Sequence, residues 1–339
     1  MSQNRITLKT IAAECGYSVN TVSRALRNDT KLPPETLEKI QTSARNLGYI
    51  RNSLASSLRS GKSHVIAVIV EEIQNPHYSY LVSQLDSKLR KLGYVVMILC
   101  SHASEKIEQQ MVNIAISHSV DGILLFPHSN KRHSAELITK NQVPLVLIDR
   151  EIKDFTADIV CIDDYGGGYF IGKRLAELGH QRFLYIAGPL NNDSQPKRQN
   201  GFVKALTEAG IPKKNIRIIP SKDMLSAISA NTIRDLLLPV DYTAVFSFND
   251  EMAYYAVNCL HNEGFRMPED LSIAGFDHIR KNISYLLPLS SISCQENCNI
   301  AEIAIELLLK RIENPDLPIQ SRVLPVSFYD EGTIGPAPM

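Results

Sequence analysis

Residues 7 to 28 constrain this chain most: Thr7-Leu-Lys-Thr-Ile-Ala-Ala-Glu-Cys-Gly-Tyr-Ser-Val-Asn-Thr-Val-Ser-Arg-Ala-Leu-Arg-Asn28. The pattern predicts two short helices joined by a tight turn. Leu8, Ile11 and Ala12 put apolar side chains at helical spacing on the first. Gly16 falls where that helix must stop, because glycine tolerates the left-handed conformation a turn needs. Ser18 suits an N-cap, and Val22, Ala25 and Leu26 give the second helix its own buried face. Val19, Asn20, Ser23 and Arg24 then stay exposed at its start. Small, amide and guanidinium groups there suit the edges of bases in a major groove. An ordinary helical hairpin carries the same punctuation, so both readings stand at this point.

Charge separates them. The chain has 36 Lys and Arg against 36 Asp and Glu. Residues 1 to 64 hold ten basic and four acidic residues, a net charge of +6, which leaves −6 for the rest. A basic N-terminal module on an acidic body is the footprint of a phosphate-backbone binder.

A chain of 339 residues is long enough for two or three domains. The polar start, Met-Ser-Gln-Asn-Arg, shows no apolar leader, and no apolar run approaches the roughly 20 residues that span a membrane. Six scattered cysteines read as free thiols, so a cytoplasmic location is expected. Neither the cysteines nor the nine histidines show metal-ligand spacing, so no cofactor is expected. Gly166-Gly-Gly168 lacks a dinucleotide or P-loop spacing and more simply opens a helix. No Gly-x-Ser-x-Gly elbow or other catalytic constellation stands out, so no enzyme is expected.

Pro33 and Pro34 suit a third helix entry and Gly48 its end, with Leu37, Ile40, Ala44 and Leu47 spaced to pack on the first two. Residues 51 to 63 are polar and Ser-rich, with one short stripe, Leu54, Ala55 and Leu58, too brief for a stable lone helix. From residue 64, apolar runs alternate with amphipathic helix-length segments: 64–70, 94–100, 122–126, 143–148, 158–162, 183–187, 216–219, 244–248 and 271–276. Such runs predict parallel strands buried on both faces and covered by helices. Nine exceed one open sheet, which predicts two α/β subdomains dividing near residue 163.

Ligands bind such sheets at the carboxyl ends of strands. Polar residues gather there: Asn75 to Tyr78, Asp149-Arg150, Asp163-Asp164, Asn191-Asn192 with Arg198 beyond, Asn249-Asp250 and Asp277-His278. Each alone suits a helix cap. Converging on one cleft, the set suits a polyhydroxyl ligand.

These residues together resemble the LacI/GalR (lac-repressor) family of bacterial transcription regulators. The resemblance rests on Thr7 to Arg24, Leu47-Gly-Tyr-Ile-Arg-Asn52, Ser57-Leu-Arg-Ser-Gly61, Asn75-Pro76, Val120-Asp-Gly122 and Glu177-Leu-Gly-His180. It continues through Ile186-Ala-Gly-Pro189, Arg198-x-x-Gly-Phe202, Asn249-Asp-Glu-Met-Ala253 and Pro268-Glu-Asp-Leu-Ser-Ile-Ala-Gly-Phe-Asp277, in register to about residue 328. It implies an all-α helix-turn-helix headpiece over residues 1–50 and a hinge helix and linker over 51–63. The core over 64–339 would be periplasmic-binding-protein-like, with two doubly wound parallel-sheet subdomains. Its N-subdomain would take about 64–163 and 291–323, and its C-subdomain 164–290 and 324–339, with crossings near 163, 290 and 323.

The resemblance further implies DNA contacts from Thr7, Tyr17, Ser18, Val19, Asn20, Thr21, Ser23, Arg24 and Asn28, and from Asn52, Ala55 and Leu58 in the hinge. Leu58 would wedge into the minor groove and kink the operator. Effector contacts would come from His77, Tyr78, Asp149, Arg198, Asn249 and Asp277. The implied protein is a ligand-responsive repressor of a carbohydrate-utilisation operon, a homodimer on a near-palindromic operator with a sugar-like effector. Where many members carry a ring-stacking aromatic, this chain has Lys222-Asp-Met-Leu225. The usual Arg-Glu-Ser-Thr near the end is Tyr329-Asp-Glu-Gly-Thr333 here. No leucine heptad precedes Met339, so a dimer and not a tetramer is expected. A purine or phosphoprotein co-repressor is the alternative within the class. A sugar-binding transport receptor is the alternative of another class, and would need an export signal and leave the basic headpiece unexplained.

Overall fold

Thr7 opens the first helix, α1 (Leu8–Cys15). Its hydroxyl accepts from Thr10 N while the Thr10 hydroxyl accepts from Thr7 N, which satisfies two donors a helix start leaves free. Gly16 ends it at φ 74°, and Ser18 caps α2 (Val19–Ala25) by accepting from Thr21 N. Pro33 and Pro34 start α3 (Pro34–Asn46). Ile11, Val22, Ala25 and Ile40 are fully buried where the three helices meet. This bundle lies within Met1–Ser63, one of two compact units; the other is His64–Met339. The computed structural model describes residues 6–50, 61–220, 230–282 and 287–338. Asn52, Ala55, Leu58 and Met224 lie outside the described residues.

In the second unit, β1 (Val65–Val70), α4 (Pro76–Lys91), β2 (Val95–Cys100), α5 (Glu105–Ser117), β3 (Gly122–Leu125), α6 (His133–Lys140), β4 (Leu145–Ile148) and β5 (Asp158–Ile162) build a first lobe. The second lobe contains α7 (Asp164–Glu177), β6 (Phe183–Ile186), α8 (Ser194–Glu208), β7 (Ile216–Ile219), α9 (Ala230–Leu237), β8 (Ala244–Ser247), α10 (Asp250–Asn262), β9 (Ser272–Phe276) and β10 (Ser290–Cys294). The chain then returns to the first lobe with α11 (Ile300–Glu313) and β11 (Ser321–Leu324), and to the second with β12 (Val326–Tyr329). The sheet orders are β11-β5-β4-β3-β1-β2 and β12-β10-β9-β8-β6-β7, all parallel except β10 with β12.

All nine apolar runs are strands. β10 belongs to the second sheet through Cys294, so the middle crossing falls after that residue and not near 290. The expectation of burial on both faces fails at β2 and β7, which lie at sheet edges. Val95 is 65% and Ile98 46% exposed there, because an edge strand has a neighbour on one side only.

One contact in the second lobe fixes the site. Helices α7 and α8 approach backbone to backbone. A Cβ on Gly168 would sit 2.1 Å from the Arg198 carbonyl oxygen, and one on Gly201 would sit 2.1 Å from that of Tyr165. The glycines at 166–168 therefore do more than open a helix: the seam they permit sets where Arg198 stands.

Candidate functional site

In the headpiece, Val19 and Asn20 are exposed on the first turn of α2, with Ser23 and Arg24 half-buried one turn on. Ser18 and Thr21 share a 2.8 Å hydroxyl contact, so both help build the cap. Arg24 Nε donates to Asp29 at 2.7 Å, which holds the guanidinium beside the helix. Asn28, at φ 57°, accepts from Gln41 Nε2 at 2.6 Å. Tyr17 is half-buried beneath Lys39 Nζ, 5.5 Å from its ring centre, and Thr7 is exposed.

In the core, strand ends from both lobes face one cleft. Asp149 follows β4 and Asp277 follows β9, at φ 70° and 102°, with His278 at 51°. Such conformations cost free energy in non-glycine residues and persist where the fold over-determines them, commonly at ligand sites. Asp250 holds the Asp277 turn: its carboxyl accepts from Ile279 N at 2.8 Å and from the Ser291 hydroxyl at 2.6 Å. Burial and the nearby Asp277 keep its proton affinity well above the usual carboxylate range.

Arg198 is buried, sandwiched between Phe276 and Phe248 at 3.6 and 4.7 Å from the ring centres. Its Nε donates to Asp164 at 2.7 Å and Nη1 to the Phe248 carbonyl at 2.6 Å, while Asp277 lies 3.5 Å away. Asp277 is held above its usual proton affinity by burial, against the pull of His77 and Arg198. Asn249 caps α10 with its oxygen, accepting from Met252 N.

On the first lobe, His77 Nε2 donates to Asp149 at 2.7 Å. Burial alone would lower the imidazole pKa, but Asp149 and Asp277 raise it to about 9. Tyr78 does not present its hydroxyl freely to the cleft. It donates to Glu71 at 3.2 Å and accepts from Arg150 at 2.5 Å. Glu71 also accepts from His128 at 3.0 Å; burial would raise its pKa, yet His128 and Arg150 lower it to about 2. Polar bridges that join the lobes include Asn75 to Glu251, Asn191 to both His128 and the Asn130 N–H, and Lys197 to Glu151. A cavity of about 140 Å³ adjoins His77 and Asp277 on the side of the middle crossing. Among the described residues no group of His, Cys, Asp and Glu gathers as a metal site.

The geometry thus brings four of the six effector candidates together, His77, Asp149, Arg198 and Asp277, leaves Asn249 as the cap of α10 at the end of β8, and turns Tyr78 into a first-lobe support. Sequence reasoning placed Asp164 in the strand-end set without pairing it to Arg198, and did not single out Phe248, Phe276, Glu71 or Glu251. A signal existed for the rings: Phe precedes both Asn249 and Asp277.

A helix-turn-helix module joined to a two-lobed ligand-binding core defines a ligand-responsive DNA-binding regulator. Residues 7–52 match the model of bacterial regulatory proteins of the lacI family, and residues 173–333 that of the periplasmic binding protein-like domain. The ribose operon repressor of Haemophilus influenzae is 30% identical over 94% of this chain and 95% of its own. A LacI family regulator from Enterococcus faecium, solved with bound ribose, is 27% identical with a TM-score of 0.70, covering 80% of this chain and 99% of its own. The lac repressor dimer, solved with operator and the anti-inducer ONPF, matches in fold with a TM-score of 0.83 at 24% identity, over 97% of this chain and 99% of its own. The chain belongs to the LacI family and is a ligand-responsive transcriptional repressor. The ribose operon repressor and the lac repressor are transcriptional repressors, and no described helix is long and apolar enough to cross a membrane.

Proposed function

We propose that this repressor binds a near-palindromic operator as a homodimer and answers to a small sugar or sugar derivative held between the lobes of its core. The observation that carries the effector reading is the convergence of Arg198, Asp277, His77 and Asp149 on one cleft, with Arg198 flanked by two phenyl rings. Carboxylates accept from hydroxyls, and a guanidinium donates a fork of N–H bonds to ring and hydroxyl oxygens. The ribose named for one relative and one solved neighbour supports a sugar of that size.

Val19, Asn20 and Arg24 read base edges, with Tyr17 at a nearby specificity position, and Thr7, Ser18, Thr21, Ser23 and Asn28 make further contacts with the DNA. Residues 51–63, with Asn52, Ala55 and Leu58, form the hinge that couples the lobes to DNA. The protein works in the cytoplasm, without a catalytic step or cofactor. Selection of operator sequences from a random pool, followed by fluorescence anisotropy with and without D-ribose, tests this. A palindromic site whose affinity changes with the sugar supports it; a site insensitive to every sugar and sensitive to a purine base defeats the effector reading. Arg24→Ala weakens specific binding by about 1–3 kcal/mol and leaves random-sequence binding nearly unchanged. An equal loss on random DNA would assign Arg24 to phosphate alone.

A further inference from the structure

The middle crossing between the lobes carries a thiol near each end. β10 ends at Cys294 and α11 begins at Ile300, so residues 295–299 carry the chain across, with Cys298 among them. The crossing is folded into a tight turn. Cys298 N donates to the Gln295 carbonyl at 2.9 Å, and Cys294 Sγ donates to the Cys298 carbonyl at 3.7 Å. A carbonyl oxygen lies about 3 Å from the Cβ of its own residue. The turn thus brings the Cys294 sulfur within a side-chain rotation of the Cys298 thiol, whose Sγ meets Asn297 Oδ1 at 3.7 Å. Both thiols are half-buried and line the cavity of about 140 Å³, together with Gln84, Gln295 and Glu296. Glu296 and Asn297 are exposed, so the turn lies at the surface, within reach of a small oxidant.

The remaining cysteines are shielded differently. Cys15 is buried in the headpiece. Burial raises the Cys100 and Cys259 thiols and pushes Cys161 up to about 12, and a thiol that keeps its proton is a poor nucleophile.

The turn is also tied to the other crossings. The Cys294 carbonyl accepts from the Tyr329 hydroxyl at 2.7 Å, and Gln295 N donates to the Pro325 carbonyl at 3.1 Å on the third crossing. Asp163 N, on the first, donates to the Leu324 carbonyl at 2.9 Å. Lobes turn about such segments through φ and ψ changes at a few residues. A bond between Cys294 and Cys298 closes a ring around the turn and removes most of that freedom.

We propose that Cys294 and Cys298 are a site of reversible oxidation, joined into a disulfide by a small disulfide oxidant, and that the disulfide clasps the middle crossing and damps movement between the lobes. One cysteine, as thiolate, attacks glutathione disulfide, forms a mixed disulfide and releases one glutathione thiolate, which takes up the proton. The second cysteine loses its proton and attacks the first cysteine's sulfur, forming the Sγ–Sγ bond and releasing the second glutathione as a thiol. Two electrons pass from the two cysteines to the oxidant, and a reducing thiol reverses both steps. Disulfides of cytosolic proteins are commonly transient and redox-sensing, as this one would be.

Mass spectrometry of the full chain, equilibrated in glutathione buffers and quenched with an alkylating agent, tests the site. The expected product is lighter by two hydrogens, yields a peptide linking Cys294 to Cys298, and reverts with dithiothreitol. Cys294→Ser and Cys298→Ser each stop at one bound glutathione. Two alkylated thiols in the most oxidising buffer, or glutathione held on the unsubstituted chain with no internal bond, overturns the inference. Hydrogen exchange over residues 295–300 tests the clasp: oxidation should slow it by about tenfold in the unsubstituted chain and leave Cys298→Ser unchanged. Equal exchange in both states overturns the clasp even where the bond forms. The change in operator affinity with D-ribose should shrink by about fivefold or more on oxidation, because a fixed crossing cannot transmit the effector. A reduced protein that ignores D-ribose counts against the sugar reading alone, since the mass and exchange results stand without an effector.

Discussion

The two walls of the cleft are built on opposite plans. The first-lobe wall is internally paired: His77 with Asp149, Glu71 with Arg150 and His128, Tyr78 with both Glu71 and Arg150. The second-lobe wall is anchored but incomplete. Arg198 is fixed by Asp164, a carbonyl and two rings, while Asp277 reaches it only at 3.5 Å from a strained backbone. A paired wall contributes stability and shape, and an incomplete one contributes binding energy when a ligand completes it.

Changes that break one plan and spare the other sharpen this contrast. The largest effect is expected from Asp277→Ala, which weakens effector binding by about 3 kcal/mol, since bonds to a charged group are worth roughly 1.5–3 kcal/mol each. Basal operator affinity stays, so the variant represses without responding; a normal induction curve would move recognition to the other wall. Gly168→Ala comes next. The added methyl strikes the Arg198 carbonyl, and overpacking of this kind costs about 1–3 kcal/mol. Denaturant unfolding should show the loss, and calorimetry should show weaker effector binding, because Arg198 moves with its backbone. Tyr78→Phe removes the hydroxyl between Glu71 and Arg150 and costs stability of about 1 kcal/mol, with effector affinity within twofold or so of the parent. A large affinity loss there would mean that the Tyr78, Glu71 and Arg150 cluster also takes part in recognising the ligand, beyond His77 and Asp149 on the same wall.

The contrast also has a pH signature. Glu71 is lowered from 4.5 to about 2, so its contribution is complete above pH 4.5 and lost as pH falls towards 2. His77 is raised from 6.5 to about 9, so its contribution is complete below pH 6.5 and lost as pH rises through 9. Melting temperature against pH should lose its alkaline limb in His77→Gln and keep the acid one.

The strands that sequence showed were those whose apolar run is continuous. The three it did not show are short or polar. β10 reads Ser-Ser-Ile-Ser-Cys, yet Ser290 and Ser291 are fully buried, because Thr333, Asp330 and Asp250 complete their hydrogen bonds. Burial of that kind leaves no hydrophobic period to mark the strand, and the crossing that the resemblance implies near 290 falls before its end. β11 and β12 have four residues each and pair only with distant segments. In the site, strand-end position pointed to Asp149, Asn249 and Asp277. It could not show that Tyr78 turns inward, since that depends on Glu71 and Arg150 arriving from other strands. Nor could it show that Asp164, beside the Asp163 cap, is the partner of Arg198, because the pairing is made by the approach of α7 and α8.

That approach has a practical consequence for anyone redesigning the protein. The guanidinium is located by two main chains in contact, so its coordinates depend on glycines remote from the effector. The anchor behaves as part of the chassis, and the residues around the cavity as exchangeable fittings. A library that holds Gly168, Gly201 and Asp164 constant while varying Gln84, Gln295 and Glu296 can alter effector preference without losing the reference point from which every new ligand is gripped.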